Sequence, residues 1–504
     1  MNKIFVVLLV LKFLTASVLY SQLIDEVEEV KEQKNFLREL QTDLNNLIDN
    51  PDFSNALIGM SIYSMDNSEY LYRKNDAKNF IPASTNKLFT VAAGIDILGA
   101  DYRYNTSLYL NGELQKNGEF IGDIIIRGTG DPTFSSFFNS NSEVIVQKWV
   151  SILDSIGLRS VIGHIIGDDS YFDNVYYAPG WAWDDMSYSY SAQVNSITMN
   201  DNVVNISIMQ GDTVGDQAEI DIFPENTYIR TINSIRTGSI NDVTDVNINR
   251  EQGSNIIELS GSIAFDTLTV NKIEKSVTID NPTLFFLNVF REKLEQNQIR
   301  FRGALLDIND LKEKIIYHDM QPLIVEESMP LSDIIKVINK ESNNLSAEIL
   351  LKTIGKETTG IGSFDSGADE VKKFMEKAGI SPDNIVFVDG SGLSRFNLMS
   401  PRYQISLLSW VYRSEFRDMF LNSLAVPGEK GTLQRRLQRS LAENNVIAKT
   451  GSMNNVNNIA GYVKTRDGEM LAFSIMIQNF TVPTSLAQNL QDLILMRLAS
   501  FSRK

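Results

Sequence analysis

From about residue 101 to residue 295 the sequence changes texture, and that change limits what the chain can fold into. Short alternating runs dominate there: Asp123 to Arg127, Val161 to Ile166, Val203 to Met209, Ala218 to Phe223, Asp245 to Asn249, Ile256 to Ser262 and Ser276 to Ile279. Period-two alternation separated by turn residues such as Asp212, Gly215, Gly253 and Asp266 predicts strands. Before this stretch come a helical segment, Leu23 to Ile48, and a hairpin made by Ala56 to Ser64 and Glu69 to Tyr72. After it the helical spacing returns, at Phe285 to Leu294, Ser332 to Asn339 and Leu345 to Thr353. Three late strands follow, Val446 to Lys449, Ile459 to Lys464 and Met470 to Ile477, the last two joined at Asp467-Gly468, and Ser485 to Leu498 reads as a closing helix. Helix and strand, then a β-rich block, then helices and sheet again is the pattern of one α/β (α+β) domain split by an insertion. Loop-closure entropy grows only slowly with length, so a long insert is tolerable. A chain of 504 residues is in any case too long for one core.

Composition narrows the chemistry. There are no cysteines, so disulfides and thiolate metal sites are excluded. Only His164 and His318 could supply imidazole; both follow or interrupt apolar runs and read as structural, and no Gly-x-Ser-x-Gly elbow accompanies them. A formal charge of −17 argues against a nucleic-acid binder, which needs a basic surface. Residues 1–21 resemble a secretory signal: Lys3, then an apolar run interrupted by Lys12. An uncleaved anchor is the alternative reading. Export is expected, with peripheral membrane association and oligomeric state left open.

The chemical signal is a set of three short motifs. Ser84-Thr-Asn-Lys87 precedes an apolar stretch and reads as a helix opening at the serine, so residues three apart share a face. Free serine is a weak nucleophile and an adjacent base activates it. Lys87 can be that base only if burial and a second cation, for which Lys449 is the candidate, lower its pKa from about 10.4. Ser342-Asn-Asn344 stands at a helix start, where Ser342 can relay a proton and the Asn344 amide can hold a peptide bond. Lys449-Thr450-Gly451 ends a strand; Lys449, Thr450 and Ser452 can bind a carboxylate, and Gly451 lets a substrate come close. The backbone N–H groups of Ser84 and Ser452 are candidates for an oxyanion hole.

In this order the motifs resemble those of the penicillin-binding D-alanyl-D-alanine carboxypeptidase and endopeptidase family, the low-mass branch with a long insert after the first motif. Gly128-Thr-Gly-Asp-Pro-Thr133, Gly180-Trp-Ala-Trp-Asp-Asp185, Asn200-Asp-Asn202 and Asp389-Gly-Ser-Gly-Leu-Ser-Arg395 extend the resemblance. More than half of the chain's length separates Ser84 from Ser342, much further than in class A β-lactamases. The resemblance implies a transpeptidase-like domain, an antiparallel sheet flanked by helices, over residues 22–100 and 296–504. It implies an insert domain over 101–205 and 264–295, and a nested one over 206–263. It implies a periplasmic peptidase acting on peptidoglycan stem peptides and cross-links, acylated by β-lactam antibiotics, with no metal or cofactor. Asp185, Tyr190, Arg395 and Asn454 map onto its pocket for the substrate side chain; Asn454 stands where the family pattern has glutamine, and Tyr190 where it has phenylalanine. A β-lactamase or esterase, and a non-catalytic wall-binding scaffold, are the rival readings.

Overall fold

The computed structural model describes residues 35–503. The signal sequence expected over residues 1–21 lies outside them, as does the start of the Leu23 to Ile48 helix, whose described part is helical over 35–48. The described chain divides into two compact units. The first holds the described residues through Phe80, Met399–Tyr412, and those from Leu424 onward; the second holds Ile81–Leu398 and Arg413–Ser423.

The first unit is built on a five-stranded antiparallel sheet in the order Val446–Met453, Val456–Lys464, Met470–Gln478, Leu57–Ser64, Glu69–Lys74. Strands from the two ends of the sequence meet at its centre, where Met60 pairs with Ile475. All but the ends of Val456–Lys464 and Met470–Gln478 are buried, so both faces of the sheet are covered. One face carries Leu40, Leu44 and Ile48 of the first helix and Leu490, Ile494 and Leu498 of helix Thr484–Ser500, in one apolar cluster with Ile62, Ile459 and Ile475. Helix Pro401–Arg413 is tied to the sheet by Tyr462 Oη donating to Leu408 O at 2.7 Å, and Gln404 Oε1 accepts from Ser474 Oγ at 2.7 Å. The antiparallel sheet flanked by helices is as expected. One boundary differs: the first late strand runs on to Met453, so Lys449-Thr-Gly lies inside a strand and not at its end. Cross-strand pairing of Gly451 with Asn458 and Ser452 with Asn457 carries it past the glycine.

The second unit contains the β-rich stretch. A seven-stranded mixed sheet centres on the hairpin Asn105–Leu114 and Glu119–Gly128. Helices Val144–Ser155 and Pro282–Gln296 contribute to its core, where the Phe134 ring meets Trp149 and Phe286 edge to face, with centroids 5.7 and 5.5 Å away. The run from Val161 to Ile166 is not one strand but two, broken at Gly163-His164, where His164 Nδ1 accepts from Ala304 N at 3.2 Å. Two smaller sheets follow. One has the order Lys272–Thr278, Val203–Met209, Glu219–Phe223; the other sets Ile256–Ile263 between Arg236–Thr237 and Asp245–Arg250. Along their strands less and more accessible residues alternate, as in sheets with one wetter face. The second unit also carries the serine motif and the Ser342-Asn-Asn344 motif.

Candidate active site

Ser84 sits in a 3₁₀ turn, Ala83–Asn86, and the α-helix proper, Lys87–Leu98, begins at the lysine. The expected helix start is therefore preceded by one tight turn, and the three-residue spacing still brings Lys87 Nζ to 3.0 Å from Ser84 Oγ. Ala83, fully buried, has φ +47°, a conformation that costs a non-glycine residue about 1–3 kcal/mol. The segment 389–392 holds the turn in place. Asn86 Nδ2 donates to Asp389 O at 2.8 Å, and Thr90 Oγ1 to Gly390 O at 2.7 Å. Gly392, at φ +82°, lies so close that a Cβ there would stand 1.9 Å from Ala83 O.

The second motif opens helix Asn344–Thr359. Asn343 caps it, its Oδ1 accepting from Ser346 N at 2.8 Å. Asn343 Nδ2 donates to Asp201 Oδ1 at 2.9 Å. Asp201 is the middle residue of Asn200-Asp-Asn202, three consecutive residues with positive φ. Ser342 closes the π-helical turn Val337–Glu341 with φ +61°. The helix crosses the serine helix at Gly94, where a Cβ would lie 2.9 Å from the Leu350 methyls. That close crossing brings Asn344 Oδ1 to 2.6 Å from Lys87 Nζ, while Asn344 Nδ2 donates to Tyr190 O at 2.7 Å.

Lys87 Nζ thus has three partners: Ser84 Oγ, Asn344 Oδ1 and, at 2.8 Å, Ser391 O. The amide and peptide oxygens can only accept. A neutral amine has two N–H bonds and one lone pair. With both N–H bonds directed at those oxygens, the lone pair faces the one partner that can donate, the Ser84 hydroxyl. Complete burial pushes the Lys87 amine down to about 7, against the opposing fields of Glu348 and Asp389. Glu348, also fully buried, is pushed upward by that burial and by Asp389, while amide bonds from Gly390 and Ser391 pull it back.

The other expected residues divide between the units. Asp185 Oδ1 accepts from Tyr190 Oη at 2.7 Å. Arg395 is exposed on the loop that follows Asp389; this loop packs on the 179–181 segment through Trp181 Nε1 donating to Asp389 Oδ2 at 2.9 Å and Ser394 Oγ to Pro179 O at 2.6 Å. Ser342, Asn344, Asp185, Tyr190 and Arg395 therefore belong with Ser84 and Lys87 to the second unit. Lys449, Thr450, Gly451, Ser452 and Asn454 belong to the first. Lys449 is buried, its Nζ donating to Thr450 O at 2.9 Å; Ser452 and Asn454 are exposed at the hairpin end of the edge strand.

Sequence reasoning missed Glu348, Ser391 and Lys352. Glu348 and Lys352 follow Asn344 at four-residue intervals, which puts all three on one helix face. Two charges within an otherwise apolar run were the available signal. Ser391 acts through its backbone carbonyl; the motif Asp389-Gly-Ser-Gly-Leu-Ser-Arg395 contains it but does not mark that role. Among the described residues no three His, Cys, Asp or Glu side chains converge as a metal site.

Comparison with known proteins identifies the family. The family model described as D-Ala-D-Ala carboxypeptidase 3 (S13) matches residues 40–500. A D-alanyl-D-alanine carboxypeptidase from Actinomadura sp. (strain R39) is 31% identical over 477 residues, covering 92% of this chain and 85% of that protein. The crystal structure of penicillin binding protein 4 (dacB) from Haemophilus influenzae superposes with a TM-score of 0.76 at 24% identity, over 90% of this chain and 97% of that one. Its complex with a β-lactam gives a TM-score of 0.72 at 22% identity, over 90% and 98%. By the extent of the family match and by this identity to a carboxypeptidase over most of both sequences, the chain belongs to the D-Ala-D-Ala carboxypeptidase 3 (S13) family.

Proposed function

We propose that this chain is an exported, periplasmic serine peptidase that removes the terminal D-Ala from peptidoglycan stem peptides and also splits D-Ala–diaminopimelate cross-links. The observation that carries the reading is the Lys87 amine, 3.0 Å from Ser84 Oγ with its two hydrogens committed to Asn344 and Ser391. In the acylation step Lys87 takes the Ser84 proton as Oγ forms a bond to the D-Ala carbonyl carbon. The C–N bond then breaks, and the leaving amine receives a proton relayed by Ser342. The proton that Ser342 relays is the one Lys87 took, so Lys87 is a free base again; it then deprotonates the water that hydrolyses the acyl-serine, and returns that proton to Ser84 as the ester C–O bond breaks. Penicillins enter by the same attack on their lactam carbonyl and stop at the acyl-enzyme.

The remaining roles rest on motif chemistry. Lys449, Thr450 and Ser452 bind the substrate's terminal carboxylate, and Gly451 admits its backbone. The N–H groups of Ser84 and Ser452 stabilise the oxyanion. Asp185, Tyr190 and Arg395 receive the amino and carboxylate ends of the diaminopimelate side chain, with Asn454 beside them. The hydrogen bond between Tyr190 and Asp185 supports that grouping. The insert boundaries proposed are 101–205 with 264–295 for one domain and 206–263 for the nested one.

The test is a muropeptide digest followed by mass spectrometry. Loss of D-Ala from pentapeptides and conversion of cross-linked dimers to monomers are both expected, and both should disappear in Ser84→Ala. Products that persist in that variant, or no products from the parent protein, would refute the assignment.

A further inference from the structure

Glu348 has no part in the chemistry described above, yet it is completely buried one helical turn beyond Asn344. Its Oε2 accepts from Gly390 N at 2.7 Å and its Oε1 from Ser391 N at 2.8 Å. The residue so gripped, Ser391, is the one whose carbonyl accepts from Lys87 Nζ. The loop is held from other sides too. Thr90 Oγ1 holds Gly390 O, and Asp389 accepts from Gly392 N, Ser394 N, Asn397 Nδ2 and Trp181 Nε1 at 2.6–2.9 Å.

We propose that Glu348 is a positioning residue for acylation: by gripping two successive amides it keeps the Ser391 carbonyl on one N–H of Lys87, so that the amine lone pair stays on Ser84. One helix thus acts on the lysine twice. Asn344 touches it directly, and Glu348 reaches it through the 390–391 backbone. A carboxylate suits the task because each oxygen accepts one amide, whereas a glutamine would turn an NH₂ group toward one of the two N–H donors. The proposal rests on Ser84 and Lys87 acting as nucleophile and base.

The role has an electrostatic consequence that simple packing lacks. The ionisable groups whose fields reach Lys87 are Glu348 from the Asn344 helix and Asp389 from the loop. Lys352, one turn past Glu348, is paired with Asp173 at 2.7 Å. Burial opposes the ionised form of Glu348, but the two backbone N–H groups aimed at its oxygens favour it; an ionised Glu348, like Asp389, favours the charged ammonium, so removing it lowers the pH at which the amine becomes free.

Acylation rates with a fluorescent penicillin, measured from pH 5 to 9, test this in the parent protein, Glu348→Gln and Glu348→Asp. Glu348→Gln should acylate about 10- to 100-fold more slowly at pH 8, the scale of a small misplacement of reacting groups. Its acid limb should move down by about 1 pH unit, the scale of one lost neighbouring charge. Glu348→Asp keeps the charge but is too short for both amides; it should slow acylation with the limb unmoved. Parent-like rates in either variant, or a slow Glu348→Gln with an unmoved limb, would overturn the proposal. If Glu348→Gln does not fold, Glu348→Asp decides alone, a parent-like rate refuting the role and a slow rate with a fixed limb supporting it. A parent protein that takes up no penicillin would instead bring down the Ser84 reading, and this proposal with it.

Discussion

Two buried lysines in the same unit have opposite surroundings. Lys87 has three neutral partners, a hydroxyl, an amide oxygen and a peptide carbonyl, and among the described residues no carboxylate hydrogen-bonds to it. Lys352 is equally inaccessible, but its Nζ lies 2.7 Å from Asp173 Oδ1, 2.6 Å from Val175 O and 4.3 Å from the centre of the Phe364 ring. Burial lowers the pKa of both amines, and at Lys352 the Asp173 carboxylate works against it. An ammonium bonded to a carboxylate and lying over an aromatic face is built to keep its charge. An amine held by neutral acceptors is built to lose its proton. The direct partners, more than depth, separate a base from a structural cation.

Substitution to methionine at the two sites should therefore separate rate from stability. Lys87→Met gives the largest effect: acylation by fluorescent penicillin should fall by about 10³-fold, within the range for losing a general base, with a loss of stability smaller than in Lys352→Met because no charged partner is stranded. Lys352→Met should do the reverse. It strands Asp173, a third of whose side chain is exposed, so the loss in urea unfolding should be about 2–3 kcal/mol, less than for a fully buried pair. Acylation at 25 °C should stay close to the parent rate. If Lys352→Met slowed acylation as much as Lys87→Met, the contrast between the two lysines would be wrong.

A smaller effect tests how the second motif is held. Asp201, half-buried, accepts from Ser135 Oγ at 2.6 Å as well as from Asn343. Asp201→Ala leaves both donors unpaired, which costs about 1–3 kcal/mol in unfolding. Because Asn343 caps the helix that begins with Asn344, acylation should slow several-fold without a change in its pH profile. An unchanged rate would show that the cap needs no anchor.

The residues that make the contrast were unevenly legible in the sequence. Ser84 and Lys87 declare themselves, since their contact follows from helical spacing alone. Strands such as Val203–Met209 and Ile256–Ile263 were readable because one face of each is wet and the alternation survives. The pairing of Leu57–Ser64 with Met470–Gln478 was not, because nothing local specifies a partner some four hundred residues away. Lys449-Thr-Gly looked like a strand end because Thr, Gly and Ser interrupt the apolar run; cross-strand hydrogen bonds override that weak propensity. Glu348 and Lys352 looked like ordinary helix charges, and only the fold shows what they hold. Ser391 contributes a carbonyl, which every residue has.

The central claim is that Lys87 is the free amine that takes the Ser84 proton. It is tested most directly by the second-order rate of penicillin acylation of the parent protein as a function of pH. The base form predominates above the amine's pKa, so the rate should rise with pH through an inflection near about 7 and then level off. A rate that stays flat down to pH 5, or that rises only above pH 9, would contradict it.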